Sequence, residues 1–234
     1  MMKAMILAAG FGKRMHPLTL ETPKPLLKVA DKYLIAMHLE KLAAAGFSEV
    51  VINTHWLAEQ LPSALGDGER WGLHIYFSHE PELLETAGGI RQALPLLVNS
   101  EDEAFLLLNG DVYFEWDLEY WLKGATERIK TASAYLALVP NPEHHPNGDF
   151  LLNAQSAQLG LPGSAQAPAY TYSGIGLFTG RFFSQIDKGY APLGPLLKQA
   201  ISDHQVKGDL QHDFWLDVGT IDRLQCLQER LSKT

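Results

Sequence analysis

The chain has a single cysteine in 234 residues, which excludes an internal disulfide and makes a reducing cytoplasm its expected compartment. Cys226 itself reads as a small apolar residue on a helix. No apolar run approaches the roughly 20 residues needed to span a bilayer. The N-terminal one, residues 4–10, is far shorter and no cleavage signal follows it. An excess of basic charge is lacking too: the net charge is −8, the wrong sign for a nucleic-acid coat. Neither nucleic acid nor membrane is therefore an expected partner. There is no internal repeat and no Gly-x-Ser-x-Gly elbow of a serine hydrolase. His55, His144, His145 and His212 lack the spacing of a zinc site.

What charge there is lies unevenly. Residues 1–28 hold Lys3, Lys13, Arg14, Lys24 and Lys28 against the single acid Glu21, so the remainder carries more than the whole net negative charge. A cationic segment in an acidic chain suits a confined site for a small polyanion, although a solvated surface is the commoner origin of such a run.

The length suits one α/β domain over residues 1–234, with a substantial core. Residues 3–8 predict a buried strand. Residues 9–30, with Gly, Pro and Thr and no sustained period, predict a long loop, and loops of that length are usually functional. Helical spacing runs over 34–45, with Gly46 as its cap. A strand at 50–53, a helix at 57–65, a strand at 73–78, a helix at 86–97 and a strand at 105–109 follow. This alternation predicts a Rossmann-like, mostly parallel sheet flanked by helices. The aromatic residues of 116–121 fit amphipathic helix packing better than base stacking. After about residue 132 the pattern changes. Strands at 132–139, 150–153 and 172–178 are separated by loops and read as a mixed extension of the sheet. Helices at 193–204 and 220–231 flank a short strand at 214–218. Residues 154–169, rich in Ala, Gln, Ser, Gly and Pro, are expected to be mobile.

Residues 7–15 read Leu-Ala-Ala-Gly-Phe-Gly-Lys-Arg-Met. Gly10 and Gly12 allow a tight turn and bring backbone N–H groups close to phosphate oxygens. Lys13 and Arg14 supply charge, and arginine can grip phosphate with two donors. The loop leaves the carboxyl end of the first predicted strand, where ligands bind in open α/β sheets. It is not a Walker loop, because one residue separates the glycines and Arg14 follows Lys13. It is not a dinucleotide fingerprint either, because Met15 stands where a third small residue is needed. Pro23 and Pro25 stiffen the backbone about Lys24, which suits a fixed point charge, with an ordinary loop lysine as the equal alternative. Asp111 and Asp217 each close a predicted strand. Carboxylates at neighbouring strand ends can share Mg²⁺ and leave its other positions to phosphates and water. A turn aspartate is the commoner outcome for each taken singly.

Taken together, the motifs point further. Residues 7–15, then Pro17-Leu18-Thr19, Pro23-Lys24-Pro25-Leu26, Glu85-Thr86-Ala87-Gly88-Gly89, Asn109-Gly110-Asp111, Tyr172-Ser173-Gly174 and Trp215-Leu216-Asp217-Val218-Gly219 follow one another along nearly the whole chain. In that order they resemble the signature of the sugar-1-phosphate nucleotidyltransferases. The resemblance implies a magnesium-dependent enzyme that takes a nucleoside triphosphate and a sugar 1-phosphate and releases pyrophosphate. It implies a nucleotide-binding part over about 1–131 and a sugar-binding part with the second metal aspartate over about 132–234. By the same resemblance Gly10, Gly12, Lys13 and Arg14 cradle the triphosphate, with Arg14 toward the departing pyrophosphate. Lys24 sits at the α-phosphate or the incoming sugar phosphate, and Asp111 and Asp217 hold Mg²⁺. Arg14, Lys24, Asp111 and Asp217 form the implied catalytic set. Glu80, where many relatives carry Gln, and Gly88 fall near the base, and Asn109 and Asp149 near the sugar.

The chain departs from the family pattern downstream of Asp149. Relatives often place there a Glu-Lys-Pro whose lysine meets the sugar phosphate, yet no Lys or Arg occurs here between Lys130 and Arg181. Charge neutralisation then falls more heavily on the metal and Lys24. The hexapeptide β-helix of many relatives finds no room in this length. Short length, the Gly12-Lys13-Arg14 loop and the segment from Asn141-Pro142 through His144-His145 to Gly148-Asp149-Phe150 resemble the branch that uridylylates N-acetylmuramate 1-phosphate in cell-wall sugar recycling. No cationic partner for the muramate carboxylate stands out beyond His144 or His145. Mannose or glucose 1-phosphate, phosphocholine with CTP, and a non-catalytic regulator are the alternatives. A glycosyltransferase is disfavoured, because it would show Asp-x-Asp in place of Asn-Gly-Asp. A monomer or small homo-oligomer is expected.

Overall fold

A computed structural model of the chain describes residues 2–163 and 168–233. In chain order its elements begin with β1 (Ala4–Leu7), β2 (Lys28–Val29), β3 (Lys32–Tyr33), α1 (Leu34–Ala44), β4 (Glu49–Thr54), α2 (Gln60–Leu65) and β5 (His74–His79). Next come α3 (Glu85–Leu97), β6 (Ala104–Asn109), β7 (Val112–Phe114), α4 (Leu118–Ile129) and β8 (Ala134–Val139). The rest is β9 (Phe150–Leu152), β10 (Leu159–Gly160), β11 (Ala169–Thr179), α5 (Gly180–Ser184), α6 (Leu193–Ser202), β12 (Val206–Leu210), β13 (Trp215–Asp217) and α7 (Ile221–Leu231).

The central sheet runs β12-β8-β11-β6-β1-β4-β5. Strands β6, β1, β4 and β5 pair in parallel, as the strand–helix alternation requires. Strand β11 then runs antiparallel to both β6 and β8, and its first residues pair instead with β9, which carries β10. The mostly parallel sheet with a mixed extension is thus observed. Alternation along β1 sends Ala4 and Ile6 to one face and Met5 to the other. The first face packs on Ile35, Leu39 and Leu42 of α1 and Trp121, Ala125 and Ile129 of α4. The second packs on Ile90, Ala93 and Leu97 of α3 and Leu197 and Ile201 of α6. Three successive leucines of β6, Leu106, Leu107 and Leu108, have no exposed surface. Burying each contributes about 1.5–3 kcal/mol. That rigid centre holds the ends of β1 and β6, from which the site loops depart.

Several local expectations change. The loop after β1 contains three short 3₁₀ turns, Lys13–Met15, Leu18–Leu20 and Lys24–Leu26, as well as β2. Helix α2 starts only at Gln60, after Leu57 in the left-handed region at φ 50°. The most consequential change concerns Asp217. Its strand, β13, lies outside the central sheet and pairs antiparallel with β7 in a separate two-stranded ribbon. Strand β12 escaped the sequence because Lys207 and Asp209 break its apolar run; Asp209 is half-buried because it accepts a 2.9 Å hydrogen bond from the Trp121 indole. Trp116 and Trp121 are buried against the core, as amphipathic packing demands. Cys226 lies on α7 as expected but is exposed, so it packs nowhere as an apolar side chain. Of the segment expected to be mobile, residues 164–167 lie outside the described residues. Among those described, no helix is long and apolar enough to cross a membrane.

Candidate active site

The first loop is built on local constraints. Gly12 has φ 63°, and a Cβ there would stand 2.9 Å from Thr19 Cγ2, so this position requires glycine on two counts. Gly10 has open space where a Cβ would go; its small size serves the cavity, not the loop. Thr19 Oγ1 donates to the Gly12 carbonyl at 2.8 Å and the Met15 N–H donates to the same oxygen at 2.8 Å. Phe11 packs on His55 and Trp56 with centroids 5.4 and 5.5 Å apart, and the Trp56 indole donates to the Thr19 carbonyl at 2.9 Å. The loop is thereby tied to the end of β4, leaving Lys13 and Arg14 exposed at the cavity mouth.

Lys24, only 8% exposed, reaches Asp111 with Nζ 2.5 Å from Oδ2. A buried ammonium needs such a partner, and the stiff proline-flanked turn holds it in place. Asp111 occupies the turn between β6 and β7. The Val218 N–H donates to the Asp111 carbonyl at 2.8 Å, and Asp217 lies opposite Val112 across the ribbon. Two residues distant in sequence thus become neighbours on one ladder. Oδ2 of Asp217 is 3.4 Å from Arg223 Nη2 and 3.8 Å from His144 Nε2, while its Oδ1 is buried without a partner. An orphaned carboxylate oxygen beside a second carboxylate fits a hard divalent cation. Among the described residues no group of three metal-ligating side chains gathers.

Two cavities meet here. One, of about 360 Å³, is lined by Gly10, Gly12, Lys13, Arg14, Lys24, Glu80, Asn109 and Asp111 among others. The other, of about 410 Å³, is lined by His144, His145, Tyr172, Trp215 and Asp217 and shares Arg14, Asn109 and Asp111 with the first. The shared wall is where two bound anions would face each other.

On the first side Glu80 has no exposed surface, and its carboxylate accepts from the Asn53 amide at 2.7 Å and the Leu84 N–H at 3.1 Å. Asn53 Oδ1 accepts from the Ala8 N–H at 2.7 Å, and the His55 ring hydrogen-bonds the Glu80 carbonyl at 2.8 Å. This relay ties β1, β4 and the chain after β5 into one wall. Gly88 does not reach it: its N–H donates to the Ala191 carbonyl at 3.0 Å and it is absent from the lining. Asp149 is likewise not in the lining of the second cavity. Its Oδ1 receives the His145 ring at 3.0 Å and its Oδ2 the Tyr172 N–H at 2.8 Å, so it holds the residues that do line it.

Of three further lining or flanking groups, the sequence singles out only His144, as a candidate partner for a substrate carboxylate. Tyr172 Oη is buried without a partner, and burial pushes its pKa well up. Burial, then the Arg223 charge, holds the His144 imidazole below its ordinary pKa, with Asp217 only partly opposing. Arg223 itself is 14% exposed. No spacing rule links α7 to the phosphate loop; only a buried-cation pattern on the first turn after Asp217-Val218-Gly219 could have singled it out.

The family model described as Nucleotidyl transferase matches residues 3–234. A protein of Neisseria meningitidis named N-acetylmuramate alpha-1-phosphate uridylyltransferase is 47% identical over 96% of each chain. One of the same name from Caulobacter vibrioides is 30% identical over 98% of this chain and 97% of its own. A mannose-1-phosphate guanyltransferase of Gibberella zeae is 29% identical over 93% of this chain but only 61% of its own. Among solved structures, a Bacillus anthracis protein in complex with sucrose shares the fold at TM-score 0.84 and 21% identity, covering 100% of this chain and 96% of that one. HddC from Yersinia pseudotuberculosis does so at TM-score 0.81 and 17% identity, covering 99% and 100%.

Proposed function

The chain belongs to the nucleotidyl transferase family, and from that premise we propose that it joins UTP to N-acetylmuramate 1-phosphate, releasing pyrophosphate and forming UDP-N-acetylmuramate for cell-wall sugar recycling in the cytoplasm. The observation that carries the reaction is the meeting of two substrate-sized cavities at Arg14, Asn109 and Asp111. The choice of uridine and N-acetylmuramate rests on the identity to the Neisseria protein along nearly the full length of both chains.

A phosphate monoester has its second pKa near about 6, so the attacking oxygen of the sugar phosphate is already largely ionised at neutral pH. No general base is needed. The protein must instead bring two anions together, align them in line and stabilise the charge on the leaving group. Gly10, Gly12 and Lys13 receive the triphosphate, and Arg14, present in both cavities, stands by the departing pyrophosphate. Lys24, fixed against Asp111, supplies a charge at the α-phosphate. Mg²⁺, which Asp111 and Asp217 would hold, neutralises phosphate charge when bound. The Glu80–Asn53 relay shapes the base end, and Asn109, with His145 held by Asp149, shapes the sugar end.

The test is a matrix of five nucleoside triphosphates against N-acetylmuramate, N-acetylglucosamine, glucose and mannose 1-phosphates, read by pyrophosphate release. UTP with N-acetylmuramate 1-phosphate should give the highest kcat/KM. A preference for GTP with mannose 1-phosphate would overturn the substrate assignment and keep the reaction class. No pyrophosphate from any pair would overturn both.

A further inference from the structure

The sugar side of the site is short of positive charge. No Lys or Arg occurs between Lys130 and Arg181, and Arg14 is the one Lys or Arg among the described residues lining the second cavity. Helix α7 brings another up to its edge: Arg223 lines neither cavity itself but rests against Asp217, which lines the second. Arg223 lies on the first turn of α7, where the Arg223 N–H donates to Thr220 Oγ1 at 3.4 Å. Its side chain reaches β13, with Nη2 3.4 Å from Asp217 Oδ2, and its Nε is buried with no hydrogen-bond partner. A Cβ on Gly219 would stand 2.3 Å from Arg223 Nη2 and 3.1 Å from Arg14 Nη2. The bare backbone of Gly219 is therefore what lets two guanidinium groups close on one point. Two like charges converging in a partly buried site are unfavourable unless an anion is received there. Among the described residues Asp217 is the one carboxylate within 4 Å of the Arg223 guanidinium, and at 3.4 Å that contact is long for a charge-assisted hydrogen bond. The Nε–Nη2 edge, a donor pair spaced to meet two phosphate oxygens, is thus largely uncommitted.

We propose that Arg223 binds the phosphate of the incoming sugar 1-phosphate, supplying from α7 the charge that the chain lacks downstream of Asp149. This rests on the reading of the chain as a sugar-1-phosphate transferase. In the unliganded protein the guanidinium rests against Asp217. With substrate present its Nε–H and Nη2–H turn to the phosphate, beside Arg14, and hold the attacking oxygen toward the shared wall. Arg223 makes and breaks no covalent bond; it offsets repulsion between the two substrates and orients one of them.

The experiment compares wild type, Arg223→Met and Arg223→Lys by steady-state kinetics with each substrate varied. Mn²⁺ binding to the substrate-free protein is followed by electron paramagnetic resonance, and thermal unfolding serves as control. Arg223→Met should raise KM for the sugar phosphate by about tenfold or more, as for loss of one charge-assisted contact, with KM for UTP within about threefold. Arg223→Lys should keep part of the effect, and Mn²⁺ affinity should stay within about threefold in both. Should the methionine variant fold poorly, the lysine variant carries the comparison with a smaller rise, again confined to the sugar phosphate. A rise in KM for UTP alone would overturn the proposal in favour of a triphosphate contact beside Arg14. Unchanged KM values, or weaker Mn²⁺ binding with lower kcat and an unchanged sugar KM, would also overturn it. Failure of the substrate assignment shows separately, in the wild-type matrix, and the same comparison is then made with whichever sugar phosphate the wild type prefers.

Discussion

Asp149 and His145 act as one unit at the scale of single residues. The carboxylate faces the His145 ring on one oxygen and the Tyr172 backbone on the other, and only the latter two residues line the cavity. Asp149→Ala should therefore raise KM for the sugar phosphate by releasing His145, and His145→Ala should do much the same. The double variant should be barely worse than the worse single one, because both substitutions break one arrangement. Additive losses in kcat/KM would show instead that each touches substrate independently. Asp111 and Asp217 pose the same question for the metal. Replacing either with Asn preserves volume and removes charge, and turnover should fall by several orders of magnitude. Folding should change little in Asp217→Asn, whereas Asp111→Asn leaves the buried Lys24 ammonium without its counter-charge and should also lower the unfolding midpoint. Activity against Mg²⁺ concentration for both singles and the double is the measurement. Near-normal Mg²⁺ dependence in Asp217→Asn would reduce Asp217 to a residue of the ribbon.

Helix caps connect element to function. Helix α7 begins at Thr220, whose hydroxyl accepts the Arg223 N–H, and α4 begins at Asp117, whose carboxylate accepts the Tyr120 N–H at 2.9 Å. Losing either cap should cost about 1 kcal/mol of stability. Of the two, only α7 brings a side chain against a residue of the site, Arg223 beside Asp217. Thr220→Ala should therefore lower the unfolding midpoint and raise the sugar-phosphate KM, whereas Asp117→Ala should lower the midpoint alone. Equal kinetic effects from the two would mean that general loosening, not the placement of Arg223, governs substrate binding. The β7–β13 ribbon works at the same scale. The Trp215 indole donates to the Ser173 carbonyl at 2.9 Å, pinning the ribbon to β11 where its register against β8 shifts between Tyr172 and Gly176. One contact thus couples the second aspartate to the wall of the second cavity.

For the molecule as a whole, the clearest pH dependence comes from His38. It lies on α1, 2% exposed and stacked on Phe114 at 6.1 Å, and its ring nitrogens find at most a weak contact with the Val112 backbone. Burial pushes its pKa from 6.5 down to about 4, with Asp111 and the nearby Val112 backbone opposing and Lys41 adding to the shift. Between those values the unfolded chain binds a proton that the folded one refuses. Stability from this group is complete above about 6.5, declines as pH falls toward about 4 and changes little below that, a loss on the order of 3 kcal/mol. Urea unfolding of wild type and His38→Leu at pH 7, 6, 5 and 4.5 should show a shallower decline in the variant. Parallel declines would mean that the titration belongs to other groups.

The parallel half of the sheet was legible because its signal is local. Apolar runs such as 105–109 alternate with helical spacing, and burial on both faces of β6 demands that composition. That Gly12, Lys13 and Arg14 share one cavity wall was legible for the same reason, since they are adjacent in the chain. The pairing of Asp217 with Asp111 depended on a ribbon between β7 and β13, three residues each, too short to carry a period of their own. The retreat of Asp149 behind His145, the absence of Gly88 from the cavity wall and the arrival of Arg223 beside Asp217 are likewise decided by contacts between distant segments. Residue type and local pattern determine which segments become strands, helices and anion-binding turns. Which side chains then face a common space follows only from packing, because burial and long-range hydrogen bonds select among orientations that are locally equivalent.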